Sequence, residues 1–155
     1  MHIAIVLIGT FLLHTLTPGL AAAATPEDRA DRVEQFLAAF NRHDPEAMAA
    51  LVTEDIKWGY VSQTGMSFEL EGKAALVKSM GEYFASCPSC RSENYGMLCS
   101  TARVSVIEVA SWKTQNGPKS QASLAIYEFS GDLIQAVYYF PEEPTPRDRQ
   151  RKRSC

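Results

Sequence analysis

Between Thr25 and Phe140 the spacing of apolar residues changes from helical to alternating. Ala30, Val33, Phe36, Leu37 and Phe40 recur every three or four residues, which predicts an amphipathic helix. Thr25 suits its N-cap, Pro26 its first turn, and Glu27 and Asp28 complement its dipole. Asn41 to His43 end it, and Asp44-Pro45 starts a second helix with Met48, Leu51 and Val52 inward. Ile56 to Val61 and Met66 to Leu70 read as short strands around a Ser62–Gly65 turn. Leu76, Val77, Met80, Tyr83 and Phe84 mark a third helix, which Pro88 forbids from continuing. Four strands follow, near 92–100, 103–113, 119–129 and 133–140, with turns at Asn116-Gly117-Pro118 and Ser130-Gly131-Asp132. Helices first and long antiparallel strands last predict an α+β domain with helices on one face of the sheet.

The ends differ from this body. Ile3 to Leu13 is an apolar run of signal-peptide length, and Ala21–Ala24 offers a cleavage site, so residues 1–24 are expected to be removed on export, to the periplasm or outside the cell. The basic run Arg147–Arg153 follows several prolines, so 144–155 is expected to be a disordered tail that docks, if at all, on an anionic surface. The net charge is −3 despite that tail, and so acidic a body argues against nucleic-acid binding.

All four cysteines lie past the cleavage site. In an oxidising compartment they favour disulfides, and the expected bridge joins Cys87 or Cys90 to Cys99 across a loop. Cys87-Pro88-Ser89-Cys90 sits where a helix ends, which argues against a redox-active pair. The terminal Cys155 is free to reach a partner chain. No paired-histidine or second C-x-x-C motif supports a metal, and no Gly-rich loop supports a phosphate cofactor.

Four stretches together carry a family resemblance: Phe36-x-x-x-Phe40-Asn41-x-x-Asp44, Leu51-Val52-x-x-Asp55-Ile56-x-Trp58, Gly72-x-x-x-Leu76 and Tyr138-Tyr139-Phe140. In order and spacing they resemble a SnoaL-like domain of the nuclear transport factor 2-like superfamily, over residues 25–143. The resemblance implies a cone-shaped roll: N-terminal helices packed on a strongly curved antiparallel sheet that encloses a pocket. It also implies a homodimer as the expected assembly. Ketosteroid-isomerase-like chemistry would need a carboxylate at the first strand, where this chain has Trp58, Gly59 and Tyr60. Epoxide-hydrolase-like chemistry would need an arginine between aspartates, and the late strands offer only Arg103. Dehydratase-like chemistry would need pocket histidines, and only His43, read as a solvent-facing junction residue, lies past the cleavage site.

What remains is an aromatic-rich pocket with one out-of-place acid. Glu108 interrupts the face formed by Val104, Val106, Ala110 and Trp112, so it is a candidate general acid or base. Glu128 is the other candidate, but only one of Glu128 and its neighbour Tyr127 can point inward. Trp58, Tyr60, Phe68, Tyr95, Met97, Tyr127 and Tyr139 are the expected pocket lining, suited to a small apolar or aromatic molecule. The expectation is therefore an exported binding domain without cofactor or metal. A lyase or isomerase using a pocket glutamate and a dimerising interaction module are the alternatives.

Overall fold

The computed structural model describes residues 24–145; the apolar N-terminal run, the basic run and Cys155 lie outside them. Helix α1 (Pro26–Asn41) opens with a reciprocal capping box: the Asp28 amide donates to the Thr25 hydroxyl, and Asp28 accepts from the Thr25 amide. Helix α2 (Pro45–Ala49) is capped by Asp44, which accepts from the Ala47 amide at 2.9 Å. It is shorter than its apolar pattern suggested. Leu51 and Val52 instead begin the sheet, where the Leu51 carbonyl accepts from Ile134. Strands β1 (Val52–Ser62) and β2 (Gly65–Glu71) form a hairpin, and α3 (Lys73–Ser86) follows. Strands β3 (Arg91–Cys99), β4 (Arg103–Thr114), β5 (Gly117–Ser130) and β6 (Leu133–Tyr139) complete the sheet.

The six strands form an open sheet in the order β2-β1-β6-β5-β4-β3. Every pair is antiparallel except β1 and β6, which run parallel, so the α+β roll is built on a mixed sheet. That parallel pair matters for the site, because it sets Tyr60 beside Tyr139 and Trp58 beside Val137. Register breaks at Trp58/Gly59, Asn94/Met97 and Glu128/Phe129 bend the sheet locally.

The helices pack on one sheet face. Val33, Phe36 and Leu37 of α1 and Leu76, Met80 and Phe84 of α3 meet Val104, Val106, Ala125, Tyr127 and Val137 in one buried cluster. On the other face, Ile107, Leu124 and Leu98 are exposed. Beyond β6, Glu143 pairs with Ala122 and Thr145 is buried, so ordered chain continues along β5 past the strand's end.

Gly59, at the β1 break, has no room for a side chain. A Cβ there would lie 2.4 Å from the Ser67 carbonyl oxygen of the paired strand. Gly59→Ala should therefore push β1 and β2 apart and cost about 1–3 kcal/mol in urea unfolding. An unchanged midpoint would mean the hairpin absorbs the methyl without strain.

The turn after α3 corrects the expected disulfide. Cys87 and Cys90 bridge each other, with their Cα atoms 5.4 Å apart, and Cys99 is a free, half-buried thiol. The Cys90 amide donates to the Cys87 carbonyl, so Pro88 and Ser89 form a tight turn that brings these two sulfurs together. Cys99 lies at the opposite end of β3, packed against the core.

Candidate functional site

Alternation along β4 places Val104, Val106, Glu108 and Ala110 on the helix-covered face. Val104 and Val106 are sealed beneath α1, whereas Glu108 and Ala110 face a cavity of about 620 Å³. Glu108 is only 5% exposed and has no cationic partner among the described residues. Three hydroxyls hold it instead. Ser92 donates to Oε2 at 2.9 Å, Tyr127 donates a short bond to Oε1, and Tyr139 reaches both oxygens at 3.2 and 3.3 Å.

Each donor has its own support. Ser92 lies on the outermost strand, where its backbone is clamped by the Asn41 side chain. Asn41 Nδ2 donates to the Ser92 carbonyl at 2.7 Å, and the Ser92 amide donates to Asn41 Oδ1 at 2.8 Å. The end of α1 thus fixes the hydroxyl that binds Glu108. Tyr127 is fully buried, with its ring edge-on to Phe36. Tyr139 stacks on Trp58 with ring centres 5.3 Å apart, and Tyr60 flanks it at 6.1 Å. Of the three donors, Tyr139 and Ser92 line the cavity, and Tyr139 makes the longest contacts with the acid. Its hydroxyl is therefore the one best placed to exchange Glu108 for a ligand.

Burial pushes the Glu108 carboxyl above the usual carboxylate range, and the bonds from Tyr127, Ser92 and Tyr139 only partly oppose it. Tyr127 and Tyr139 are pushed well above an ordinary phenol, first by burial and then by the neighbouring carboxylate charge. Both phenols therefore remain donors at any physiological pH. The Tyr60 hydroxyl is raised by burial and by the charge of Glu69, with a smaller contribution from Glu142.

Of the expected lining residues, Trp58, Tyr60 and Tyr139 surround the cavity, and Tyr127 lies beneath it. Phe68 and Tyr95 do not reach it. Phe68 crosses Gly59 on the other sheet face, packed on Tyr138 with Lys57 above its ring. Tyr95 is 44% exposed beside a smaller hollow of about 300 Å³ formed with Val109 and Lys119. Met97 packs against the core. Glu128 is also excluded, because Tyr127 takes the inward position. Glu128 pairs with Arg103 at 2.6 Å and accepts from Tyr138 on the outer face.

His43 is half-buried. Its left-handed backbone (φ 57°) turns the ring onto Phe84, 4.5 Å away, with Nε2 2.7 Å from Arg91 Nη1 and 3.0 Å from the Cys90 carbonyl oxygen. Sequence reasoning missed Ser92, Gln121, Ser123, Phe36, Phe40 and Tyr83 as wall residues. The parity of β5 carried part of that signal, since Gln121, Ser123, Ala125 and Tyr127 share one face. Among the described residues, no cluster of histidine, cysteine or acidic side chains is placed to hold a metal ion.

A family model for the SnoaL-like domain matches residues 33–137, which span α1 through β6. The chain belongs to the SnoaL-like family. No curated protein matches this SnoaL-like chain closely enough to count as a relative. Among solved structures it is similar to an uncharacterised cystatin-fold protein from Novosphingobium aromaticivorans (20% identity, 73% of this chain and 97% of that one, TM-score 0.64). It is also similar to a nuclear transport factor 2-like protein of unknown function from Cytophaga hutchinsonii (18%, 79% and 94%, TM-score 0.57). A third is a provisional ketosteroid isomerase from Kribbella flavida DSM 17836 (19%, 81% and 86%, TM-score 0.62). At such identities the likeness establishes the SnoaL-like fold and leaves the reaction to the residues of the site.

Proposed function

We propose that this SnoaL-like domain is an exported binding protein for a small apolar or aromatic molecule carrying one polar group. The observation that carries the reading is a buried carboxyl held by neutral hydroxyls at the wall of an aromatic cavity. The rings supply contact area, and Tyr139 and Glu108 orient the polar group. Export is supported by the Cys87–Cys90 bridge and by the position of the cap. Cleavage after Ala24 would leave Thr25, the N-cap of α1, as the first residue. A homodimer belongs to the same reading, supported by the exposed Ile107, Leu124 and Leu98.

One experiment addresses all three parts: a native mass spectrum of protein recovered from the exported fraction. Cleavage after Ala24, a dimer and extra mass released by mild activation are the expected results. An uncleaved chain retained in the cell would overturn export. Glu108→Gln and Tyr139→Phe should each weaken the retained ligand's binding about tenfold, as expected for losing one well-made polar contact. Unchanged affinity in both would overturn the site.

A second reading is favoured by the raised Glu108 carboxyl, which suits a general acid or base of a lyase or isomerase acting on a carbon acid. It requires solvent-deuterium exchange or turnover of an enolisable carbonyl compound that vanishes in folded Glu108→Gln.

A further inference from the structure

The charge of the cavity is as one-sided as its chemistry is aromatic. Among the described residues that line it are three carboxyls, Glu69, Glu108 and Glu142, and no lysine, arginine or histidine. Three described basic side chains are engaged elsewhere. Lys57 lies over Phe68 on the outer face, Arg103 pairs with Glu128, and Arg91 is committed to His43 and the Cys90 carbonyl. Glu69 and Glu142 are exposed at the mouth beside Tyr60, whereas Glu108 sits deep in the wall.

We infer that the ligand is an organic cation, an amine or quaternary ammonium on a flat apolar body, received by the Trp58–Tyr139–Tyr60 rings between the mouth carboxylates and Glu108. The inference rests on the binding reading above and specifies its ligand class. Three observations converge on it. Trp58, Tyr139 and Tyr60 form a continuous aromatic wall, with ring centres 5.3 and 6.1 Å apart, and aromatic faces attract a cation within about 6 Å. Tyr83, on α3, contributes a further ring to the lining. A neutral ligand would gain no charge attraction from the two mouth carboxylates. An anion would be repelled by them and would meet no counter-charge in the lining.

The test uses three probes of one shape: (2-naphthylmethyl)trimethylammonium, its neutral carbon isostere 2-neopentylnaphthalene, and 2-naphthylacetate. Each is titrated into the purified protein with its basic C-terminal residues retained, and Trp58 fluorescence is followed in a Trp112→Phe background. The cation is expected to bind about tenfold or more tighter than the isostere, and the anion weakest. Raising salt should shrink that advantage, because the mouth charges are exposed. Glu69→Gln combined with Glu142→Gln should cut the cation's advantage about threefold or more and leave the neutral probe unaffected. An isostere that binds as tightly as the cation overturns the inference while the binding reading stands. Failure of all three to saturate overturns both. A cation advantage unchanged in the double variant overturns the role given to the mouth carboxylates.

Discussion

Phe36→Ala should cost about 3–5 kcal/mol of folding stability, the largest loss expected from a single truncation in this domain. Phe36 is 1% exposed and ties helix α1 to the middle of the sheet. Its ring contacts Trp58 of β1 at 6.2 Å and Tyr127 of β5 edge-on at 6.0 Å, while its backbone belongs to α1. Neither neighbour is free to collapse into the space left behind. Tyr127 is tied to Glu108 by its hydroxyl, and Trp58 is stacked on Tyr139. The void would therefore persist and open into the cavity, so the variant should also accept larger ligands than the parent protein. Urea unfolding with a fluorescence readout checks the first effect. A loss below about 1 kcal/mol would mean α1 shifts to close the gap, contrary to the rigidity argued here.

Much of this arrangement was written in local patterns. The α1 stripe, its Thr25 cap and the stop at Pro88 each depend on residues within a turn or two of one another, which a sequence displays directly. The parity of β4 singled out Glu108, because a strand's faces follow from counting by two. The misplacements share a different cause. Phe68 and Tyr95 lie on or beside strands whose register breaks, at Trp58/Gly59 opposite Phe68 and between Asn94 and Met97. One extra residue sends the side chains beyond it to the other face, and no local pattern announces it. The parallel pairing of β1 with β6 is equally silent, since it joins residues some eighty positions apart. It nevertheless brings Trp58 and Tyr60 to Tyr139. The candidate site was thus legible as a set of residue types, while its assembly depended on long-range register.

Glu108 gives the second large effect, and its sign is the reverse of the ordinary carboxylate case. Most acids are stabilised in their charged form by folding, so acid weakens the fold. Here burial raises the carboxyl in the folded protein above its unfolded value. The folded state therefore holds this proton more tightly than the unfolded one. Its contribution to stability is fully present below the unfolded value and is lost as pH rises through the folded one. Glu108→Gln keeps the shape and cannot ionise: its Oε1 can accept from Tyr127 and Tyr139, while its Nε2, in the place of Oε2, would donate to the Ser92 hydroxyl. Relative to the parent protein it should gain stability as pH rises from the ordinary carboxylate range, about 4, towards neutral and above, because only the parent carries the buried acid. Glu108→Ala should behave differently. It leaves the fully buried Tyr127 hydroxyl without its acceptor, and a stranded buried donor costs about 1–3 kcal/mol at every pH, beyond the lost packing. Thermal unfolding of the three proteins across that range separates the two effects. A Gln-minus-parent difference that stays flat with pH would show that the hydroxyls stabilise the charged carboxylate as well as water does, and the acid–base reading of Glu108 would fall.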